Sequence, residues 1–310
     1  MSLAPVVLFV YNRLDHTKRT VQSLQKNFFA EDTDLFVYAD AARDGAAAIK
    51  VNEVREYLKT IGCFKSVTIR LRENNLGVDD NIILGVTEII NEYGKIIVLE
   101  DDLVTSKWFL QYMNDSLNFY KDQEEVACIH GYLLPVQQKL KEVFFLKGAD
   151  CWGWATWKRA WDIFELDGSM LLDKLEKQAL EREFDFGNTY PYTQALRDQA
   201  EGRTKCWDIR WYASAFLENK LTLHPGQSLV SNIGHDNSGT HCYETEHYDV
   251  VLAEEPLDVE VEVLHDDHAY DAFAEFFKTL PSQVASREKS WLSKSFKYVK
   301  ALILKPIVSS

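Results

Sequence analysis

The chain has no Cys-x-x-Cys pair, and its five cysteines (Cys63, Cys128, Cys151, Cys206, Cys242) are scattered and odd in number. That argues against a disulfide framework and a zinc knuckle, and favours buried, reduced thiols in a cytosolic protein. Glycine and proline are sparse, at 14 and 7 in 310 residues, so low complexity and disorder are not expected. Positive charge is also short: 34 Lys and Arg against 48 Asp and Glu leave a net −14. A chain of that sign lacks the cationic face that a phosphate backbone requires, so nucleic acid is not an expected partner. No run approaches the roughly 18 apolar residues of a membrane-spanning helix. Asn12, Arg13 and Asp15 break the apolar run Pro5–Tyr11 too early for a signal peptide, so no leader is expected. Gly-x-Gly-x-x-Gly does not follow the first apolar run and no Walker A pattern occurs, which argues against dinucleotide and P-loop chemistry.

What is present is a globular composition, 46% hydrophobic and 13% aromatic, long enough for one large domain or two ordinary ones. Up to residue 102 apolar strands alternate with amphipathic helices. Strands are predicted at Pro5–Tyr11, Leu35–Ala39, Val67–Leu71 and Lys95–Leu99. Helices are predicted over Thr17–Asn27, through Val51, Val54 and Leu58, and over Val78–Tyr93 with Gly94 as the stop. Four strands separated by helices imply a parallel sheet. Further on, a helix is expected at Ser106–Tyr120, strands at Val126–His130 and Val143–Leu146, and a tryptophan-rich helical stretch from Ala155 to Leu217. Short strands follow at Leu221–His224 and Ser228–Ser231, and the alternation Leu257–Leu264 reads as an edge hairpin ending in the solvated turn His265-Asp266-Asp267-His268.

Ligands of open α/β sheets bind beyond the carboxyl ends of the strands. Those ends carry Tyr11-Asn12-Arg13, then Asp40 with Arg43-Asp44-Gly45, then Asn74-Asn75-Leu76-Gly77, and finally Glu100-Asp101-Asp102. Three successive carboxylates at the tip of a buried strand repel one another unless a cation or hydrogen-bond donors neutralise them. Mg²⁺ or Mn²⁺, held by one or two carboxylates and completed by substrate phosphates, suits the arrangement. The bland alternative is an acidic loop without a ligand.

The order strand–Asn-Arg, strand–Asp-x-x-Arg-Asp-Gly, Asn-Leu-Gly before a helix, and strand–Glu-Asp-Asp resembles the nucleotide-sugar half of GT-A glycosyltransferases. With the later Gly-x-x-x-Trp-Gly-Trp segment, it is most similar to the inverting N-acetylglucosaminyltransferase I type and its bacterial relatives. The resemblance runs from Val6 to about His235. It implies an α/β GT-A fold with a Rossmann-like, mostly parallel central sheet flanked by helices: residues 1–102 form the donor half and 103–280 the acceptor half of one domain. It also implies a metal-dependent, inverting transfer of a sugar from a nucleotide-diphosphate donor, UDP-linked in the family's usual pattern, to a glycan or lipid-linked acceptor. In that reading Asp102 holds the metal, Asp101 meets the ribose or the same ion, and Glu100 meets the donor sugar. Asp40 meets the base or ribose, Tyr11 and Arg13 line the nucleotide slot, and Asn75, Gly77 and Asn81 lie beside the donor.

Transfer needs a base for the acceptor hydroxyl. The segment Cys206-Trp207-Asp208-Ile209-Arg210-Trp211 resembles the one that supplies it in the family, with Ile209 in place of a second acid. Asp208 is therefore the first candidate base and Asp150 the second, while helix capping is an alternative role for Asp208. Trp152 and Trp154 flank Gly153 and could offer faces to a sugar; Trp157 and Trp161 read as core. His235-Asp236 and His241 lie in a polar stretch where related enzymes close over the diphosphate, making His235 a further metal-ligand candidate. From Arg287 on, six basic residues against one acid give +5, which leaves −19 on the rest of the chain. Leu292, Phe296, Val299 and Ile303 form one stripe of this 281–310 tail, which reads either as a helix on an anionic membrane surface or as one packed on its own domain. The expected location is cytoplasmic, with peripheral attachment to the inner face of the membrane under the first reading. Two rivals stand: a non-catalytic nucleotide-sugar or carbohydrate-binding protein on the same fold, and a sugar nucleotidyltransferase, which would want a Gly-rich loop after the first strand.

Overall fold

The computed structural model describes residues 2–238 and 244–280; His241 and the basic tail lie outside them. The first part of the chain alternates as its pattern predicts: β1 (Val6–Val10), α1 (Leu14–Leu24), β2 (Asp34–Ala39), α2 (Gly45–Leu58), β3 (Ser66–Leu71), α3 (Gly77–Tyr93) and β4 (Lys95–Glu100). Local chemistry sets several of these limits. The Asp44 side chain accepts from the Ala47 N–H and starts α2. Gly94, at φ 77°, ends α3 in the left-handed conformation that costs glycine little. Gly85 lets α3 lie directly on β1, since a Cβ there would come within 2.7 Å of the Phe9 ring.

There follow β5 (Leu103–Thr105), α4 (Phe109–Phe119), β6 (Val126–His130), β7 (Val143–Lys147) and β8 (Trp154–Trp157). A helical run then comprises α5 (Lys158–Trp161), α6 (Gly168–Lys177), α7 (Glu181–Phe184), α8 (Tyr192–Ala200) and α9 (Trp207–Leu217). The described chain closes with β9 (Leu221–Pro225), β10 (Val230–Asn232) and α10 (Asp267–Thr279).

Eight strands make one sheet in the order β3-β2-β1-β4-β8-β6-β9-β7, and β5 pairs with β10 in a separate ribbon. β1, β2, β3 and β4 are mutually parallel; β8 runs against β4 and β6, β9 is parallel to β6, and β7 is antiparallel to β9. Six strands therefore point the same way, and the carboxyl ends of β1, β4, β6 and β9 share one edge. One face of the sheet is covered by α1, α2, α4 and α10, the other by α3, α5 and α9. A smaller cluster, including Leu171, Phe184, Leu196 and Phe216, binds α6 to α9 together.

Two expectations need correcting. The stretch from Ala155 is not helical throughout, because Trp154–Trp157 is a strand between β4 and β6. Its alternation sends Trp154 into the core on one face and Ala155 and Trp157 into the core on the other. Trp154, at 1% exposure, packs with Trp161, Trp207 and Trp211 and cannot offer a face to a sugar. The second correction concerns the end of the domain. Leu257–Leu264 forms no strand, and only His265 bridges to Phe145. His265-Asp266-Asp267-His268 is the start of α10, with Asp266 accepting from the Ala269 N–H as its cap.

Candidate functional site

The acidic segment after β4 is held from two sides. Its backbone is fixed by the Thr20 hydroxyl, which donates to the Asp101 carbonyl at 2.8 Å, and by the Ile233 N–H, which donates to the Asp102 carbonyl at 2.8 Å. The second bond comes from the chain just after β10, so the β5–β10 ribbon brings residues 232–235 onto the acidic turn. Gly234 lies so close that a Cβ would come within 2.2 Å of Asp102 Oδ2.

Arg13, just beyond β1, donates to Asp101 and, at 2.8 Å, to Asp102. Burial opposes its charge, but the two carboxylates outweigh burial and raise its pKa. One guanidinium does not balance three acids. Burial, then Asp102, Asp101 and Asp208, push the Glu100 carboxyl well above the usual carboxylate range. Asp101 is also raised, chiefly by burial, with Arg13 pulling the other way. His235 completes this corner, with its ring against Tyr248 and Trp152 and within the field of Asp102. Burial lowers its pKa, and neither buried ring nitrogen has a hydrogen-bond partner among the described residues. His16, which the sequence reading passed over, sits beside this corner and bonds the Ile233 carbonyl at 3.2 Å and Asp236 at 3.1 Å.

Asp40 is occupied differently. Its carboxylate accepts from the backbone N–H groups of Ala41, Leu76 and Gly77 and from the Asn75 amide, all at 2.8–3.0 Å. Asp40 and Asn75 thus pin the loop into α3, where Gly77 stands at φ 76°. Asn81 accepts from Arg72 Nε at 2.9 Å, and the Tyr11 hydroxyl accepts from the Arg43 N–H at 3.1 Å. Because Asp40 is buried, Asp40→Ala strands two or more backbone donors and should cost about 2–4 kcal/mol in urea unfolding. A cost below about 0.5 kcal/mol would show that the loop holds without it.

Next to His235 a cavity of about 360 Å³ opens among Trp152, Tyr190, Tyr192, Tyr212, Tyr248 and Phe273. Asp150, Asp208 and His235 reach it as well. Asp208 stands in the first turn of α9, but Cys206 holds the cap position, so capping is not the Asp208 role. Its carboxylate accepts from the Cys206 thiol at 2.6 Å, from the Ile209 N–H at 2.9 Å and, more weakly, from the Cys151 thiol at 3.7 Å. The helix N-terminus favours negative charge there. Burial and then Asp208 raise the Cys206 and Cys151 pKa values, which keeps both thiols protonated as donors. Asp150 lines the same cavity and approaches His130 at 3.4 Å.

The fold therefore gathers Arg13, Glu100, Asp101, Asp102 and His235 at one corner, with Asp150 and Asp208 along the adjoining cavity, while Asp40, Asn75, Gly77 and Asn81 shape the neighbouring loop. Sequence reasoning missed His16, His130, His224 and the tyrosines of the cavity. The histidines at the ends of β6 and β9 were visible as strand-terminal polar residues; their pairing needed the strand order.

No family model and no curated protein matches the chain. Among solved structures it is similar to the crystal structure of S. aureus TarS, at 13% identity over 73% of this chain and 36% of that one, with a TM-score of 0.40. It is also similar to S. aureus TarS 1-349, at 13% identity over 73% of this chain and 59% of that one, with a TM-score of 0.38. The chain spans less than two thirds of the length of either. A likeness this slight leaves function to the chemistry of the site itself.

Proposed function

We propose that the chain is a GT-A-type glycosyltransferase that moves a sugar, with inversion, from a UDP-linked donor to a hydroxyl of a glycan or lipid-linked acceptor. One observation carries this reading: an acidic, cation-seeking corner at the carboxyl ends of β1 and β4 adjoins an aromatic cavity that holds a separate acid, Asp208. A diphosphate and an acceptor require just such neighbouring but distinct surroundings.

The corner suits Mg²⁺ or Mn²⁺. Three acids face a single guanidinium, and His235 keeps both ring nitrogens unpaired among the described residues. Asp102, with Asp101 and His235, would hold the ion, which when bound neutralises the donor diphosphate. Arg13 orients the two aspartates and adds positive charge where the leaving group collects its electrons. Glu100, at the end of β4 beside the two aspartates, would meet a donor-sugar hydroxyl.

In the cavity, Asp208 takes the proton of the acceptor hydroxyl as its oxygen attacks the anomeric carbon. A glycosidic bond forms on one side of that carbon while the bond to the diphosphate breaks on the other, and the electron pair leaves with UDP. The Cys151 and Cys206 thiols keep the Asp208 carboxylate aimed, and the aromatic walls exclude water and pack against sugar C–H faces. Calorimetric titration with UDP tests the donor half of this reading. Binding should require Mn²⁺ or Mg²⁺ and should vanish with EDTA; absence of binding at any metal concentration overturns it.

A further inference from the structure

His130 ends β6 and His224 lies one residue before the end of β9. The pairing Ile129↔Leu223 carries them to the same level of adjacent parallel strands, and both are at least 96% buried, at 2% and 4% exposure. Their Nδ1 atoms are 3.4 Å apart. Asp150, from the loop before β8, places Oδ2 3.4 Å from His130 Nδ1, and one ligand atom from each of the three residues lies within 4.8 Å of the others.

These separations have a chemical meaning. An ion with bonds of about 2.0–2.1 Å to nitrogen has tetrahedral ligand edges of about 3.3–3.4 Å. Two of the three edges have that length already. Both rings are buried against Tyr132, Phe144 and Phe273, surroundings that favour the neutral imidazole, the form that binds metal. The Asp150 side chain, 43% exposed, faces the open cavity, and leaves a direction from which a further ligand can approach.

We propose that His130, Asp150 and His224 form a site for a divalent transition metal ion of the zinc class, with its open position facing the aromatic cavity. Two imidazoles and one carboxylate favour Zn²⁺ or Co²⁺ over Mg²⁺, whereas the oxygen-rich Asp101–Asp102 corner favours the harder ions. The site does not depend on the glycosyl-transfer reading. Its fourth ligand is water or a hydroxyl oxygen of the cavity's occupant. Ligation through Nδ1 moves the His130 ring proton to Nε2, so the Trp152 N–H, 3.3 Å from that atom, gives up its contact when the ion enters.

The metal-stripped 310-residue chain titrated with Co²⁺ tests this. One equivalent should generate the visible absorption of nitrogen-bound, four-coordinate cobalt, and Zn²⁺ should bleach it. Asp150→Asn and His224→Ala should each weaken Co²⁺ binding by about tenfold or more, with thermal unfolding confirming that they fold. Asp102→Asn should keep the band. No band in the unaltered protein, its survival at full affinity in either of the first two variants, or its loss in Asp102→Asn overturns the proposal. Should His224→Ala not fold, Asp150→Asn, at a position already open to the cavity, decides the matter.

Discussion

Asp102→Asn should abolish metal-dependent UDP binding and lower sugar transfer by at least about 10²–10³-fold, the scale on which removing a charge-stabilising group acts. The substitution keeps the size and one acceptor oxygen of the side chain, so the neighbouring Gly234 still fits. Arg13 retains Asp101 as a partner, which limits the stability loss that follows when a buried ion pair is broken completely. What disappears is one anionic oxygen of the corner that His235 also faces. Unfolding midpoints and UDP titrations with and without Mn²⁺ separate the two effects. A variant with full transfer and an unaltered metal requirement would sink the assignment of Asp102.

The second large effect belongs to Asp208. Asp208→Asn removes the proton acceptor but preserves an oxygen for the Cys206 thiol and the Ile209 N–H. Its kcat should fall by about 10²–10⁴-fold, the usual contribution of a positioned base. UDP affinity should change far less, because Asp208 bonds Cys151, Cys206 and Ile209 and reaches the acidic corner only through its field on Glu100. Steady-state kinetics beside calorimetry provide the contrast. Equal losses in UDP affinity and in rate would make Asp208 part of the donor site, and the base would have to be sought elsewhere.

The sequence made the parallel half of the sheet legible because β1, β2 and β4 are apolar on both faces and their helices carry clean stripes. Position then did most of the work for the acidic corner: Glu100-Asp101-Asp102 follows a central strand, and the strand ends are where ligands collect. β8 was hidden because four residues, two of them tryptophan, are embedded in text that becomes helical at Lys158. A strand so short shows its alternation only once the two opposite cores are known. α10 was hidden by its polar start, where the cap Asp266 and its histidine neighbours looked like a turn. Asp40 was read as a ligand because its place at the end of β2 was right; that its carboxylate is engaged by four donors depends on the path of residues 75–77. The His130–His224 pair lies 94 residues apart in the chain and becomes a pair only through the order β6-β9.

β8 also governs when the protein can be safe from itself. β4 is paired on one side by β1 and on the other by β8, whose residues arrive more than fifty positions later in synthesis. Until Trp154–Trp157 has emerged, the Ile96–Val98 edge stands bare with its N–H and C=O groups unpaired, an open template for another nascent chain. Residues 1–102, although they hold most of the acidic corner, are therefore poorly suited to life as an isolated fragment. Aggregation during translation is a hazard that the late insertion of one short strand removes.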